Sequence, residues 1–166
     1  MSMGYVNLKL KRGSAQVMLS PLIYANNFIK RSLETKVPLT HMKLQKLLYL
    51  LYARYYALHS APLFADQFEK WPYGPVLSEV YTAFKDYRAN VIDRMHRNED
   101  GDVLIVSEEH ELFIDCFNEV WAAYGGWDGI QLSVHTHKGA WSKVEADEIF
   151  LKKEDIIEDG KNFFAA

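Results

Sequence analysis

Cysteine, long apolar runs and excess positive charge are all scarce in this sequence, and each scarcity excludes a class of protein. Cys116 is the single cysteine, so no disulfide can form within the chain, and a reducing compartment is expected. The longest unbroken apolar run, residues 47–53, is far shorter than the ~20 residues that cross a bilayer. No apolar segment of signal-peptide type precedes Ser20. We therefore expect a cytoplasmic protein with no membrane partner.

The charge balance disfavours nucleic acid as a partner. The chain carries 19 Lys and Arg against 22 Asp and Glu, a formal net charge of −3. Proteins that bind nucleic acid mainly through phosphate contacts usually carry a basic excess. An exception would need one face that gathers Lys43, Lys46 and Arg54.

The length of 166 residues is that of one ordinary domain with its own core. Residues 1–17 lack hydrophobic periodicity and are predicted to form a flexible N-terminal arm or extension. Residues 18–166 are predicted to form a single domain, because no repeat, low-complexity tract or linker interrupts them.

The first two predicted helices carry clear start signals. Ser20 and Pro21 form a good helix entry, and Thr40 can cap a second helix over residues 41–59. That second helix has one leucine-rich face, made of Leu44, Leu47, Leu48, Leu51, Tyr55 and Leu58. A separate stripe follows, made of Gln45, Tyr49, Tyr52 and Tyr56. The stripe either packs a second layer or is offered outward to a partner, and both alternatives stay open.

The rest of the chain gives weaker signals. Residues 68–75 form an aromatic, proline-flanked connector, and Pro75 suits the first turn of a helix that runs to about residue 87. Residues 91–95 and 103–106 are typical of a short hairpin. Ser107 can cap a helix that ends at Gly125, and residues 149–164 form a last helix. Ile130, Leu132 and Val134 alternate, which favours a strand. The predicted fold is mainly α (α+β): a compact helical domain with a central apolar helix and a short β-hairpin.

Motifs for catalysis and for cofactor binding are absent from the sequence: no phosphate-binding glycine loop, nucleophile elbow or zinc-protease motif occurs. His135 and His137 form an H-x-H pair without further ligands nearby. Cys116 lies on an apolar helix face, where a packed thiol is expected. Glu69 and Glu79 lie on either side of residues 71–75 of the connector and could pair as acid and base, although exposed carboxylates are the commoner outcome. We predict no catalytic residue, no cofactor and no bound metal.

Aromatic residues make up 14% of the chain, and they are the side chains that binding hot spots use. Trp71, Tyr73 and the Gln45–Tyr56 stripe are therefore candidates for contact with a partner. Core packing is the more common role for each of them, and Trp71 is well placed as a packing wedge between two helices.

Several segments together resemble the Panacea, or SocA-like, antitoxin domain. Residues 39–49, LTHMKLQKLLY, are similar to the family signature lt-x-x-KLQKLLYF. Residues 62–64, 68–76 (FEKWPYGPV) and 79–81 are similar to its pLf, feaW-x-yGPV and evY elements. Ala25 and Asn26 match the opening AN, and residues 132–141 resemble the Ls-x-x-TH…W element. The resemblance covers about residues 22–144. Lys70 departs from the usual alanine, and no proline precedes Trp141.

The resemblance implies a mainly helical α+β domain in which residues 130–137 are helical. Members of this phage-associated family often act as antitoxins that neutralise varied toxins by direct contact, and some act as adaptors to a protease. The motif positions carried by this chain are Lys43, Gln45, Lys46, Trp71, Tyr73, Gly74, Pro75, Glu79, Tyr81, Thr136, His137 and Trp141. The resemblance attaches no catalytic role to them.

The leading hypothesis is an antitoxin that binds a cognate protein toxin, with a protease as a further partner. One alternative is a nucleic-acid-binding regulator of its own operon, and a second is an enzyme built around Glu69, Glu79 and His137. The candidate partner-binding residues are Lys43, Gln45, Lys46, Tyr49, Tyr52, Tyr56, Trp71, Tyr73, Glu79, Thr136, His137 and Trp141. The sequence assigns no oligomeric state.

Overall fold

The long helix α2 (His41–His59) lies at the centre of the fold. The computed structural model describes residues 4–9 and 18–165. In these ranges α2 contacts five other helices and a strand. The other elements are β1 (Val6–Leu8), α1 (Pro21–Thr35), β2 (Glu69–Trp71), β3 (Gly74–Val76), α3 (Ser78–Phe84), β4 (Leu104–Val106), α4 (Glu111–Tyr124), α5 (Gly129–Thr136) and α6 (Lys153–Asn162). The predicted mainly α fold with a central apolar helix is confirmed.

Helix α2 begins and ends where its local sequence predicts. Thr40 is extended, and its Oγ1 accepts a hydrogen bond of 3.3 Å from Lys43 N. Ser60 ends the helix in the left-handed conformation, with φ 54°. Residues 43–51 are all buried, because neighbouring elements cover α2 on every side. Ser20 likewise caps α1 through a hydrogen bond of 3.1 Å from Leu22 N.

Two asparagines of α1 replace a strand partner for β4. Asn27 Nδ2 donates to Val106 O at 2.9 Å, and Val106 N donates to Asn27 Oδ1 at 2.8 Å. Asn26 donates to the carbonyls of His96 and Leu104. These side chains satisfy buried backbone groups that a third strand would otherwise bond.

The prediction of a hairpin over residues 91–95 and 103–106 is wrong. Strand β4 instead pairs in parallel with β1, with Val6 opposite Leu104. Val91 forms only an isolated bridge to Thr40. The short hairpin is β2–β3, which is antiparallel and lies in the segment predicted as a connector. The sequence pattern predicted a strand correctly at residues 103–106, but the strand that pairs with β4 comes from the distant N-terminus.

Three further boundaries differ from the prediction. Pro75 lies in β3, so the third helix starts at Ser78. His110, not Ser107, caps α4, because His110 Nδ1 accepts from Phe113 N at 3.2 Å. The last helix starts at Lys153, since residues 149–151 run beside β2 and bond its backbone.

Residues 129–136 form α5, as the resemblance implies and the simple alternation does not. Asp128 and Gln131 form a reciprocal capping box, with Gln131 N donating to Asp128 Oδ1 at 2.8 Å. Leu132 is buried, whereas Ile130 and Val134 are exposed. The alternation of apolar residues at positions 130, 132 and 134 therefore places one side chain of a helix inside the domain and two on its surface.

The predicted N-terminal arm is described only in part. Residues 6–8 form β1, which the sequence did not predict as a strand. Residues 1–3 and 10–17 lie outside the described residues, so the division into an arm and a domain stays a prediction. In the described part of the chain, no helix has the length and apolarity needed to cross a bilayer.

The Gln45–Tyr56 stripe packs a second layer of the core. Tyr49 is fully buried, with its ring 5.0 Å from that of Phe68. Tyr52 is half-buried, with ring distances of 4.7 Å to Phe64 and 5.3 Å to Phe68. Burial raises the pKa of the Tyr52 hydroxyl to about 12. The alternative in which this stripe faces outward is wrong for this fold.

We expect Tyr52→Ala to destabilise the domain by about 2 kcal/mol, because it removes a ring packed among aromatic neighbours. Tyr52→Phe keeps the ring and is the matched control, which should melt like the parent protein. Thermal unfolding followed by circular dichroism measures both. A Tyr52→Ala protein with unchanged stability would contradict the packing role.

A buried carboxylate joins α6 to the core. Asp159 is 3% exposed and accepts hydrogen bonds from the Tyr49 hydroxyl and from Ala140 N. Burial raises the pKa of Asp159, and these two hydrogen bonds oppose that effect. Gly139 leaves room for the carboxylate, since a Cβ there would lie 2.0 Å from Asp159 Oδ1.

Candidate partner-binding site

Side chains from α2, from α5 and from the 3-10 turn of residues 140–143 donate hydrogen bonds to the backbone of the β2–β3 hairpin. Trp141 Nε1 donates to Trp71 O at 2.7 Å, and Ser133 Oγ donates to Tyr73 O at 2.7 Å. Lys46 Nζ donates to Pro75 O at 3.0 Å. The sequence-predicted positions Lys46, Trp71 and Trp141 thus meet at one place, and they fix a hairpin too short to be stable alone.

The hairpin turn requires glycine at position 74. Gly74 has φ 114°, a conformation that side chains rarely adopt. A Cβ there would lie 2.7 Å from Lys46 Cε and 3.0 Å from Thr136 Oγ1. The buried Thr136 therefore acts here by packing against the turn, with its hydroxyl bonded to the carbonyl of Leu132.

Gln45 fixes the chain between the hairpin and α3. Its Oε1 accepts from Leu77 N at 2.9 Å, and its Nε2 donates to Leu77 O at 3.2 Å. Both hydrogen-bonding groups of one buried residue are satisfied in this way. Gln45 therefore positions the backbone and has little capacity left for a ligand.

Two predicted cations of α2 are buried. Lys43 Nζ donates to Gly125 O at 2.6 Å and to Pro38 O at 3.2 Å. Burial lowers the pKa of Lys43, although Asp128 opposes that shift. Lys46 is 1% exposed, and burial lowers its pKa to about 7.

The basic face that a nucleic-acid regulator would need does not form. Lys43 and Lys46 are buried, as described above. Arg54 pairs with Glu119, with 2.5 Å between Nε and Oε1. The three cations therefore serve contacts within the domain and offer no shared positive surface to phosphates.

A cavity of about 330 Å³ opens between the start of α2, the hairpin and the end of α3. We call it the cationic cavity, because Lys46, Lys85 and Arg88 line it and no carboxylate does. Its walls are partly aromatic, with the rings of Trp71 and Tyr81 packed 4.7 Å apart. The remaining lining residues are His41, Met42, Gln45, Pro72, Tyr73 and Val76. Its volume is at the lower end of the range for ligand pockets.

Tyr73 is 67% exposed, the largest fraction among the predicted aromatic site residues. It lies at the hairpin turn and lines the cationic cavity. The Ser133 hydrogen bond places α5 beside this turn, and the outer face of α5 carries Ile130 and Val134, which are 71% and 56% exposed. We call Tyr73, Ile130 and Val134 the apolar rim.

The other predicted site residues divide by burial. Lys43, Gln45, Lys46, Tyr49, Tyr56 and Thr136 are buried, and Tyr52, Trp71, His137 and Trp141 are half-buried. Glu79 is exposed, but it does not line the cationic cavity. Its Oε1 accepts a hydrogen bond of 2.9 Å from Ser20 Oγ. The three tyrosines of α2 that were predicted as site residues, Tyr49, Tyr52 and Tyr56, do not line the cavity either.

Among the residues that line the cavity, sequence reasoning missed the three basic ones other than Lys46: His41, Lys85 and Arg88. Burial and the neighbouring Lys46 lower the pKa of His41 to about 4, so its ring is neutral near pH 7. His41 starts a predicted helix, which could have drawn attention to it. No sequence signal marks Lys85 or Arg88, because they reach the cavity only through the turn that follows α3.

The proposed enzyme residues do not assemble. Burial raises the pKa of Glu79, and Asp66 adds to that shift. His137 stacks on Trp141, with 4.1 Å between ring centroids, and its buried Nε2 has no hydrogen-bond partner among the described residues. None of Glu69, Glu79 and His137 lines the cationic cavity.

The thiol and the possible metal ligands of the described residues serve the packing of the domain. Burial raises the pKa of the Cys116 thiol to about 12, so it stays protonated near neutral pH. Across residues 4–9 and 18–165, no three His, Cys, Asp or Glu side chains are grouped to hold a metal ion. His135 of the H-x-H pair instead contacts the Tyr124 hydroxyl at 3.0 Å.

Residues 44–142 match a family described as antitoxin SocA-like, Panacea domain. The chain belongs to this family. The matched region contains the hairpin, the apolar rim and most of the residues that line the cationic cavity. Membership in the SocA-like family suggests an antitoxin role that involves no catalysis.

One curated relative is antitoxin SocA of Caulobacter vibrioides (strain NA1000 / CB15N), which is 35% identical over 60 residues. This match spans 36% of the present chain and only 32% of the relative. No solved structure matches this SocA-like chain.

Proposed function

We propose that this protein is an antitoxin that binds and neutralises a cognate toxin by direct protein–protein contact. Membership in the SocA-like family is the observation that carries the proposal. A toxin is the partner that an antitoxin requires, and the lack of an assembled catalytic group in the described residues favours binding over catalysis.

The apolar rim is the surface that we assign to the toxin. Tyr73, Ile130 and Val134 are large apolar side chains with more than half of their surface exposed. Exposed apolar residues that cluster beside a cavity are typical of interaction sites. A tyrosine also supplies contact area at a small entropic cost and offers a hydroxyl for hydrogen bonding.

The test is co-expression with the gene beside this one, on the hypothesis that it encodes the toxin. We expect the neighbour alone to stop growth, and the pair to grow and to co-elute as a complex. Growth arrest that persists in the presence of the folded protein would refute the proposal. Rescue without a complex would refute direct contact.

A protease-adaptor role is a further part of the proposal, and it makes a separate prediction. An adaptor should shorten the lifetime of the toxin after protein synthesis is stopped, whereas a simple inhibitor should lengthen or preserve it. Pulse–chase measurement of the toxin, with and without this protein, distinguishes these two modes of neutralisation.

We expect Tyr73→Ala to weaken toxin binding by about 1–3 kcal/mol while changing the melting temperature little. The physical reason is that Tyr73 is largely exposed and makes its fold contacts through its backbone carbonyl. Titration calorimetry measures the affinity, and circular dichroism measures the stability.

Leu58→Ala is the matched control, since Leu58 is 49% exposed near the opposite end of α2. It lies roughly 18–26 Å along the helix from the α2 residues that line the cavity, at a rise of about 1.5 Å per residue. Equal affinities for the Tyr73→Ala, Leu58→Ala and parent proteins would remove the apolar rim from the interface.

A further inference from the structure

The cationic cavity offers hydrogen-bond donors to a ligand. The side-chain amide of Gln45 in its wall is already hydrogen-bonded within the fold. The Gln45 amide is bonded in both directions to the backbone of Leu77. His41 Nε2 lies 3.2 Å from the same amide. The charged groups of the lining are Lys46, Lys85 and Arg88, which are all hydrogen-bond donors, so the cavity favours a group that accepts hydrogen bonds and carries negative charge.

Lys46 lies in the wall of this cavity with an incomplete set of partners. Its ammonium has three N–H groups, and within the described residues the carbonyl of Pro75 is its only hydrogen-bond acceptor. A buried charge with so few partners is unfavourable unless an opposite charge joins it. The pKa of about 7 reflects this burial, and a bound anion would raise it.

Arg88 is held at the same cavity by an unfavourable backbone conformation. It has φ 53° and ψ −120°, and Asn90 N donates to Tyr87 O at 2.9 Å across the turn. These angles are those of the first central position of a type II′ turn, where glycine is preferred. Strain of this kind is often retained at binding sites, since it aims a side chain.

Lys85 and Arg88 are also available as charges. Across residues 4–9 and 18–165, neither side chain forms a salt bridge. The full chain carries a formal net charge of −3, so the cavity is a local positive site on a negative protein. Such a site attracts a single anionic group.

We propose that the cationic cavity binds a carboxylate side chain of the toxin, carried on a segment whose neighbouring apolar residue packs on the apolar rim. This inference rests on the antitoxin function proposed above. Lys46, Lys85 and Arg88 supply the charge, and the rings of Trp71 and Tyr81 form an aromatic wall beside the contact.

A protein carboxylate fits this cavity better than the phosphates of a nucleic acid do. Nucleic-acid binding needs a positive track along a backbone, whereas this site is one cavity on a chain of net negative charge. Tyr73 lines the cavity and is itself exposed apolar surface, and the Ser133 hydrogen bond joins its backbone to α5, which carries Ile130 and Val134. Charge beside apolar area is the composition of a protein interface.

The first experiment uses 3-phenylpropionate as a probe and 3-phenylpropionamide as its neutral isostere. Binding is followed through the Trp71 indole N–H signal in NMR spectra of the full chain. We expect the acid to bind at least tenfold more tightly than the amide, and we expect Lys46→Met and Arg88→Gly each to remove most of that preference. Equal binding of the acid and the amide would overturn the proposal. So would the absence of detectable binding of the acid at concentrations up to roughly 50 mM.

Two features of these variants keep the result interpretable. Arg88→Gly suits the turn, so the domain should stay folded without the charge. Lys152→Met removes an exposed lysine outside the cavity and is the control for a change in net charge. It should leave the preference for the acid unchanged, and a loss equal to that of Lys46→Met would contradict a specific site.

The second experiment measures toxin affinity of the same variants. We expect Lys46→Met and Arg88→Gly to weaken toxin binding at least tenfold, with Lys152→Met unchanged. If the parent protein neutralises the toxin and the cavity variants do so equally well, the cavity proposal fails while the antitoxin function stands. Probe binding without any effect on the toxin would assign the cavity to free carboxylic acids and refute our choice of partner. A parent protein that neutralises no toxin would refute the proposed function itself.

Discussion

Replacing Gly160 by alanine is expected to destabilise the domain by about 3 kcal/mol or more, since helices α2 and α6 touch at this glycine. A Cβ at position 160 would lie 2.0 Å from the carbonyl oxygen of Ala53 and 2.8 Å from Ala57 Cβ. The first obstacle is helix backbone, which cannot rotate away as a side chain can. The gain in helix propensity from glycine to alanine, about 1 kcal/mol, is too small to offset this clash.

The melting temperature of the Gly160→Ala protein should fall by roughly 10 °C, judged from the size of the domain. Gly126→Ala is the matched control, because a Cβ at the exposed position 126 meets nothing within 4 Å. Its stability should change by at most about 0.5 kcal/mol. If both variants melted alike, the close approach of α2 and α6 would be wrong.

The second large effect concerns the buried charge of Lys46. Burial lowers its pKa from 10.5 to about 7 in the folded protein, so between these values the unfolded chain binds more protons than the folded one. The stability contributed by this residue therefore rises as the pH increases from 7 towards 10. Below pH 7 both states are charged, and the full cost of burying the ammonium remains.

We expect the parent protein to gain about 3 kcal/mol relative to Lys46→Met between pH 7 and pH 10. Other titrating groups, including the buried tyrosines, are common to both proteins and largely cancel in the difference. His41 and His137, whose pKa values Lys46 also lowers, titrate below this window. The unpaired Pro75 carbonyl in the variant shifts the absolute stability but not its dependence on pH.

Urea unfolding of both proteins at several pH values measures this difference. Lys152→Met is again the control, because its lysine is exposed and should give a curve parallel to that of the parent. A constant difference between the parent and Lys46→Met would mean that Lys46 keeps an ordinary pKa in the folded state.

Several of the motif residues that the sequence offered for partner binding lie around the cationic cavity, and two of them also hold the fold together. Lys46, Gln45 and Trp71 do surround the candidate site. Gln45 and Lys46, however, bond the backbone of the hairpin and of the segment that enters α3. A sequence motif indicates that a set of residues occurs together in a family. It does not indicate whether their side chains contact a partner or other residues of the same domain.

The sequence by itself determined the features that depend on neighbouring residues. The capping hydroxyls of Ser20 and Thr40, the apolar periodicity of α2 and the glycine stop after α4 act within one or two helical turns, so they can be recognised locally. The family resemblance also predicted α5 where alternation favoured a strand.

Only the tertiary structure decided which elements pair and which side chains reach the surface. Strand β4 takes a partner from the distant N-terminus, and Asn27 covers its other edge. Tyr49 is buried and Tyr52 is half-buried because Phe68, which lies outside α2, packs against both rings. Arg88 reaches the cationic cavity through a strained turn that no local preference predicts. Each outcome depends on contacts between residues far apart in sequence, and such contacts leave no periodic signal in a single chain.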